Sequence, residues 1–173
     1  YNRVADVDLY GGKWIKKAAC KIFMGYVENC QKDMIQALEN SGRFRAPGTF
    51  QELHSLVHGY LGDGNKMGEG WLLTAEMLEL IHSGTSNIVC TQPFGCLPNH
   101  IVGKGMIRKL KEDYPDSNIV AIDYDASATK INQENRIKLM LANAKGMAKQ
   151  EKAAREVPAQ EAAEPLTRAS AHA

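Results

Sequence analysis

Four cysteines, five histidines and a scatter of carboxylates are the residues of this 173-residue chain that could carry chemistry. Cys90 and Cys96 lie together in Asn87-Ile88-Val89-Cys90-Thr91-Gln92-Pro93-Phe94-Gly95-Cys96-Leu97-Pro98-Asn99-His100. The first half of this segment is β-branched and reads as a buried strand. The second half is a loop that runs into a helix, with Asn99 read as its N-cap. A helix N-terminus offers unpaired N–H groups and a partial positive charge, which favours the thiolate form of a nearby cysteine. Thiolate is the form that binds iron or zinc. Cys96 is therefore the best-placed candidate ligand, set against the plainer reading of a buried free cysteine. Cys90, inside the apolar strand, leans toward that plainer reading.

The other reactive residues form weaker patterns. Cys20 and Cys30 sit ten residues apart on one helix, about 15 Å along its axis, so they cannot share a metal. No CxxC pair occurs, which removes the main signature of zinc fingers and thioredoxin-type sites. His54 and His58 are four apart on one helical face and read as a surface pair. His82 shares no ligand spacing with them, and His100 is placed to hydrogen-bond at the cysteine loop. Gly62-Asp63-Gly64-Asn65-Lys66-Met67-Gly68-Glu69-Gly70 lacks the phosphate-loop spacing and reads as a flexible connector. Asp123 and Asp125 end a second strand, where they can face a ligand or cap the next helix.

The elements that position these residues follow from periodicity. Ile15, Ala19, Ile22, Phe23, Tyr26, Cys30 and Met34 recur at three- and four-residue steps and mark a helix over Trp14 to Asn40, closed by Gly42. Shorter helices are predicted over Phe50 to Tyr60 and Trp71 to Ile81. Strands are predicted at 87–91 and 118–123. Ile101, Val102, Met106, Ile107 and Leu110 mark the helix between the strands, and a last helix covers Thr129 to Leu141. Strand, helix, strand, helix with short connections is a βαβ unit with parallel strands. Both strands are nearly continuous apolar runs, which predicts helices on both faces. Val4 to Leu9 is a candidate third strand, weakened by Asp6 and Asp8. The expected fold class is α/β, a Rossmann-like parallel sheet with flanking helices. Two strands are too few for a sheet, so the missing ones are expected upstream or in a partner chain. In such sheets ligands sit beyond the carboxyl ends of the strands, where Cys90 to Asn99 and Asp123 to Ser127 lie.

Composition sets the outer limits. The chain is 44% hydrophobic and 24% charged, with a net charge of +1. That is ordinary globular composition, and it provides no basic stripe for nucleic acid. No run approaches the length of a membrane span. The start at Tyr1, without Met or an apolar leader, reads as an interior cut in something longer. Residues 1–143 form the predicted folded region. From Ala144 onward Ala, Glu, Lys and Arg dominate, so 144–173 is expected to be a disordered or partly helical tail. Free thiols without an export signal place the protein in a reducing cytoplasm.

Several segments together resemble one family. They are Gly70-Trp71-Leu72-Leu73-Thr74-Ala75-Glu76-Met77, the Asn87 to His100 run, Ile122-Asp123-Tyr124-Asp125 and Asn135-Arg136-Ile137. The chain is similar over roughly residues 1 to 143 to acyl-CoA dehydratase activase-related proteins, whose C-terminal part is like the subunits of 2-hydroxyacyl-CoA dehydratases. The resemblance implies a cytoplasmic protein of anaerobic metabolism. It implies Rossmann-like domains that hold 4Fe-4S clusters on cysteines from several loops. It further implies a low-potential electron delivered by an ATP-driven activase, and removal of water from a 2-hydroxyacyl-CoA by a radical route. Cys96, after Phe94-Gly95, matches the cluster-ligating cysteine of the dehydratase subunits, and Cys90 is the second candidate. The implied partners are the remainder of a larger polypeptide or the dehydratase and activase subunits, with an acyl-CoA as substrate and neither nucleic acid nor membrane. The ATP loops and CxxC elements of the activase module are not in this chain, so ATP hydrolysis is not assigned to it. The alternative is a scaffold or interaction domain of the same fold without a cluster. A thiol-redox switch between Cys90 and Cys96 is a third reading.

Overall fold

The computed structural model describes residues 1–124 and 129–156. Helix α1 (Asn2–Tyr10) opens the chain. The strand anticipated over Val4 to Leu9 is thus helix instead. The Tyr1 carbonyl accepts the N–H groups of Val4 and Ala5 at 2.8 and 3.0 Å. Val4 and Ala5 go into the core, while Asp6 and Asp8 ion-pair with Lys66 and Lys17. On a helix residues two apart leave on nearly opposite sides, so Asp6 and Asp8 reach different lysines, and the local alternation that suggested a strand is overridden by these distant partners.

Helix α2 (Trp14–Ser41) ends at Gly42, whose φ of 61° places it in the left-handed region and lets its N–H reach the Glu39 carbonyl. Helix α3 (Phe50–Val57) begins with a reciprocal cap: the Glu52 N–H donates to the Thr49 hydroxyl, and the Thr49 N–H donates to the Glu52 carboxylate. The glycine-rich stretch after it is a closed turn rather than a flexible connector. The Trp71 N–H donates to the Asn65 carbonyl at 2.7 Å. A side chain at Gly70 would put its Cβ 2.1 Å from that oxygen, and the φ there is +56°. Only glycine fits, and the turn it closes seats Trp71 in the core.

Helix α4 (Leu72–His82) leads into strand β1 (Asn87–Pro93). A π-helical turn (Asn99–Gly103) and a 3-10 turn (Lys104–Met106) follow, then helix α5 (Ile107–Asp113). Strand β2 (Asn118–Tyr124) pairs parallel with β1, with Ile88 beside Ile119, Cys90 beside Ala121 and Gln92 beside Asp123. Two strands form the sheet among the described residues. The molecule is mixed α/β, and its sheet among the described residues is this one parallel pair.

The face carrying Ile88 and Ile119 packs on Met77 and Leu78 of α4 and Leu110 of α5. A second cluster joins Val57, Trp71 and Ala75, with Tyr1 and Phe50 against it. Helix α6 (Lys130–Glu156) lies on the other face of β2, where Asn118 donates its amide to the Met140 carbonyl at 2.9 Å and Arg136 donates to the Ala121 carbonyl at 2.9 Å. It does not cover β1. That strand therefore alternates buried and exposed, and Val89 is 43% exposed. The expectation that both strands are sheathed on both faces holds for β2 and fails for β1. Of Ile137, Met140 and Leu141, only Met140 is buried. The last helix also runs on past Leu141 and crosses the change in composition at residue 144, since Ala, Glu and Lys are good helix formers.

Candidate functional site

Cys96 lies beyond the carboxyl end of β1, partly exposed. Its own N–H donates to the Pro93 carbonyl at 3.1 Å, closing a turn over Phe94 and Gly95. Its carbonyl accepts the His100 N–H at 3.1 Å, so helical bonding starts at Cys96. Asn99 is not the N-cap. It sits three residues inside the turn, and its side-chain amide donates to the Cys96 sulfur at 3.0 Å. Asn99 is buried, so this donor is fixed by its surroundings. His100 meets the loop through its backbone N–H.

Cys90 has a different setting. It is buried on the core face of β1. Burial pushes its thiol above the ordinary range, and the neighbouring Gln92 side chain offsets part of that rise. Gly103 lies against it, where an added Cβ would be 3.4 Å from the Cys90 sulfur. A methyl group at Gly103 would just make contact with the Cys90 sulfur, and a larger side chain would have to displace it. The Thr74 hydroxyl of α4 fastens the π-helical turn by donating to the Val102 carbonyl.

Gln92 was not singled out in the sequence, and it holds the loop to the sheet. It is fully buried, and its amide donates to the Asn99 carbonyl at 3.0 Å. Its side-chain oxygen has no partner, nor does one buried oxygen of Asp123 in the neighbouring register position. The signal was present: Gln92 shares the inward face with Ile88 and Cys90 at two-residue spacing. Asp123 is the penultimate residue of β2, which runs one residue further than expected to Tyr124, and its carbonyl accepts the Gln133 amide at 3.1 Å. Asp125 and Ser127 lie outside the described residues.

Beside β1 runs a groove of about 340 Å³ whose lining includes Leu73, Glu76, Met77, Val89, Thr91 and Asn99. Desolvation raises the Glu76 carboxyl above its ordinary range, and Glu69 and Glu79 add to the rise.

The remaining candidates are dispersed. His54 is not a plain surface residue: it hydrogen-bonds the Tyr1 hydroxyl and Asp63, each at 2.7 Å, inside a ring of Tyr1, Phe50 and Trp71. The His58 ring lies tilted beside it, with ring centres 5.9 Å apart. His82 pairs with the Tyr114 hydroxyl at 2.8 Å. Cys20 and Cys30 lie on α2, away from the loop. Among the described residues, no three His, Cys, Asp or Glu side chains gather as a metal site. No helix among them is long and apolar enough to cross a membrane. Comparison with protein-family models, with curated proteins and with solved structures found no match.

Proposed function

We propose that this chain is part of an iron–sulfur protein of the 2-hydroxyacyl-CoA dehydratase and activase system, in which Cys96 is one ligand of a 4Fe-4S cluster used for low-potential electron transfer. The observation that carries this reading is the setting of Cys96. The residue is partly exposed beyond the carboxyl end of a parallel strand, and its sulfur takes a hydrogen bond from a buried amide. Cluster sulfurs and ligating thiolates are tuned by such donors. When bound, the cluster supplies one-electron chemistry. This chain's own part is to present the Cys96 sulfur and to hold Asn99 against it.

Cys90 fits less well, because its buried thiol resists the deprotonation that ligation requires. A cluster needs further cysteines, and none beside Cys96 in the described residues is arranged to serve. In this reading they come from other parts of the dehydratase or activase assembly, as does the acyl-CoA site, and the protein works in the cytoplasm.

The second reading is a scaffold domain without a cluster. The open flank of β1, with Val89 exposed and a groove alongside, favours it, because that flank suits a protein partner. Iron and sulfide content with the visible spectrum, measured on anaerobically prepared protein in its full assembly, separates the two. Loss of iron in Cys96→Ser supports ligation. An iron-free protein after anaerobic reconstitution overturns it in favour of the scaffold.

A further inference from the structure

The two edges of the sheet differ in what covers them. The Ser86 carbonyl accepts the Asn118 N–H at 2.7 Å, and the Phe94 N–H donates to the Tyr124 carbonyl at 3.3 Å. In a parallel pair this register turns the backbone groups of Ile88, Cys90 and Gln92 toward β2 and those of Asn87, Val89 and Thr91 away from it. On β2 the outward groups belong to Ile119, Ala121 and Asp123. Helix α6 closes that edge, with Arg136 donating to the Ala121 carbonyl and Gln133 to the Asp123 carbonyl. β1 has no such cover. Among the described residues nothing bonds to the outward N–H and C=O groups of Asn87, Val89 and Thr91.

Edge strands that stand free carry a charge, a proline or a bulge that discourages further pairing. From Asn87 to Gln92 β1 has none of these: it is uncharged, it contains no proline, and its register with β2 is unbroken. Pro93 ends the run, its carbonyl taken by the Cys96 N–H.

The groups on this edge set what fits it. Main-chain donors and acceptors alternating at strand spacing match another extended chain. The groove of about 340 Å³ runs along the edge, and Leu73, Glu76, Met77 and Leu80 line it from α4 at three- and four-residue steps. Glu69 lines it too. Neither Glu69 nor Glu76 makes an ion pair among the described residues, and Glu79 adds a third negative charge beside Glu76. A basic side chain on an added strand complements these carboxylates, and an acidic one is repelled.

We propose that the free edge of β1 takes up one strand of a partner polypeptide, an extended segment with alternate apolar side chains toward α4 and a lysine or arginine toward Glu69 and Glu76. This gives the scaffold reading its partner and rests on that reading's open flank of β1. It uses neither Cys96 nor a cluster, so iron content and strand binding fail separately.

Panning a phage-displayed library of random peptides about ten residues long on the full chain tests it. Enriched peptides should alternate apolar and polar residues and carry a basic residue. Val89→Pro removes one outward N–H and no bond to β2. Its circular dichroism should match the parent's, while binding of the enriched peptides falls at least about tenfold. Glu76→Lys, at an exposed position, should weaken them as much, and it decides the matter if Val89→Pro does not fold. The proposal is overturned by a library that enriches nothing, by enriched peptides without a basic residue, or by binding that either folded variant leaves unchanged. A dimer of the chain that Val89→Pro dissociates overturns it as well, by giving the edge to a second copy.

Discussion

The side-chain amide of Asn99 donates to the sulfur of Cys96 at 3.0 Å, from a position three residues further into the turn that Cys96 begins. The carbonyl of the same Asn99 accepts from Gln92 on β1. One buried residue thus links the candidate ligand to the sheet. The position of the sulfur is set by strand packing as well as by its own loop.

The two loop cysteines should separate in thiol labelling. Cys96 is partly exposed and Cys90 is buried with its thiol pushed up. Under native conditions iodoacetamide should modify Cys96 at least about tenfold faster than Cys90, which becomes reactive only as the β1 region opens. Peptide mass spectrometry over a time course reads both rates. Equal rates would mean that β1 is not held closed.

Gly103 and Cys90 should couple energetically. Gly103→Val places methyl groups where an added Cβ already meets the Cys90 sulfur at 3.4 Å, and overpacking of this kind costs about 1–3 kcal/mol. Cys90→Ala opens the space, so the double variant should recover part of the loss. The coupling expected in urea-denaturation midpoints is ~0.5–2 kcal/mol. Strictly additive effects would place the strain elsewhere.

Acid should loosen the start of α3. The Thr49 backbone N–H, and after it the Thr49 hydroxyl, hold the Glu52 carboxyl below its ordinary range. A carboxyl lowered in the folded state stabilises the fold at neutral pH, and that contribution fades as pH falls below the ordinary glutamate value of 4.5. Thr49→Ala removes the cap and should cost ~1 kcal/mol at pH 7. The difference between parent and Glu52→Gln should shrink as pH is lowered through that range. Thermal melts across pH check both, and a pH-independent difference would contradict the assignment.

Much of the local architecture was legible in the residues. The stripe from Ile15 to Met34, closed by Ser41-Gly42, specified α2 to within a residue, because a long 3.6-residue period admits one reading. The β-branched runs specified both strands, and their parallel pairing followed from the helix between them. Cys96 was legible as a strand-end cysteine opening a helical turn. Asn99 was legible only as a polar residue near a helix start. Its role as donor to sulfur depends on a π-helical turn, which no short-range pattern announces.

By itself, then, the sequence determined the elements whose cause is local: helix periods, β-branched strands, and the cap at Gly42. Tertiary structure decided whatever depends on residues far apart in the chain. Val4 to Leu9 became helix because Val4 and Ala5 are buried and Asp6 found Lys66, sixty residues on. The glycine-rich loop became a fixed turn because Trp71 has a pocket to fill, and only Gly70 lets the chain pass Asn65. β1 kept an open face because α6 lies over β2 alone. Hydrophobic burial is non-directional, so a pattern shows which face is apolar; the assembled neighbours settle what, if anything, covers it.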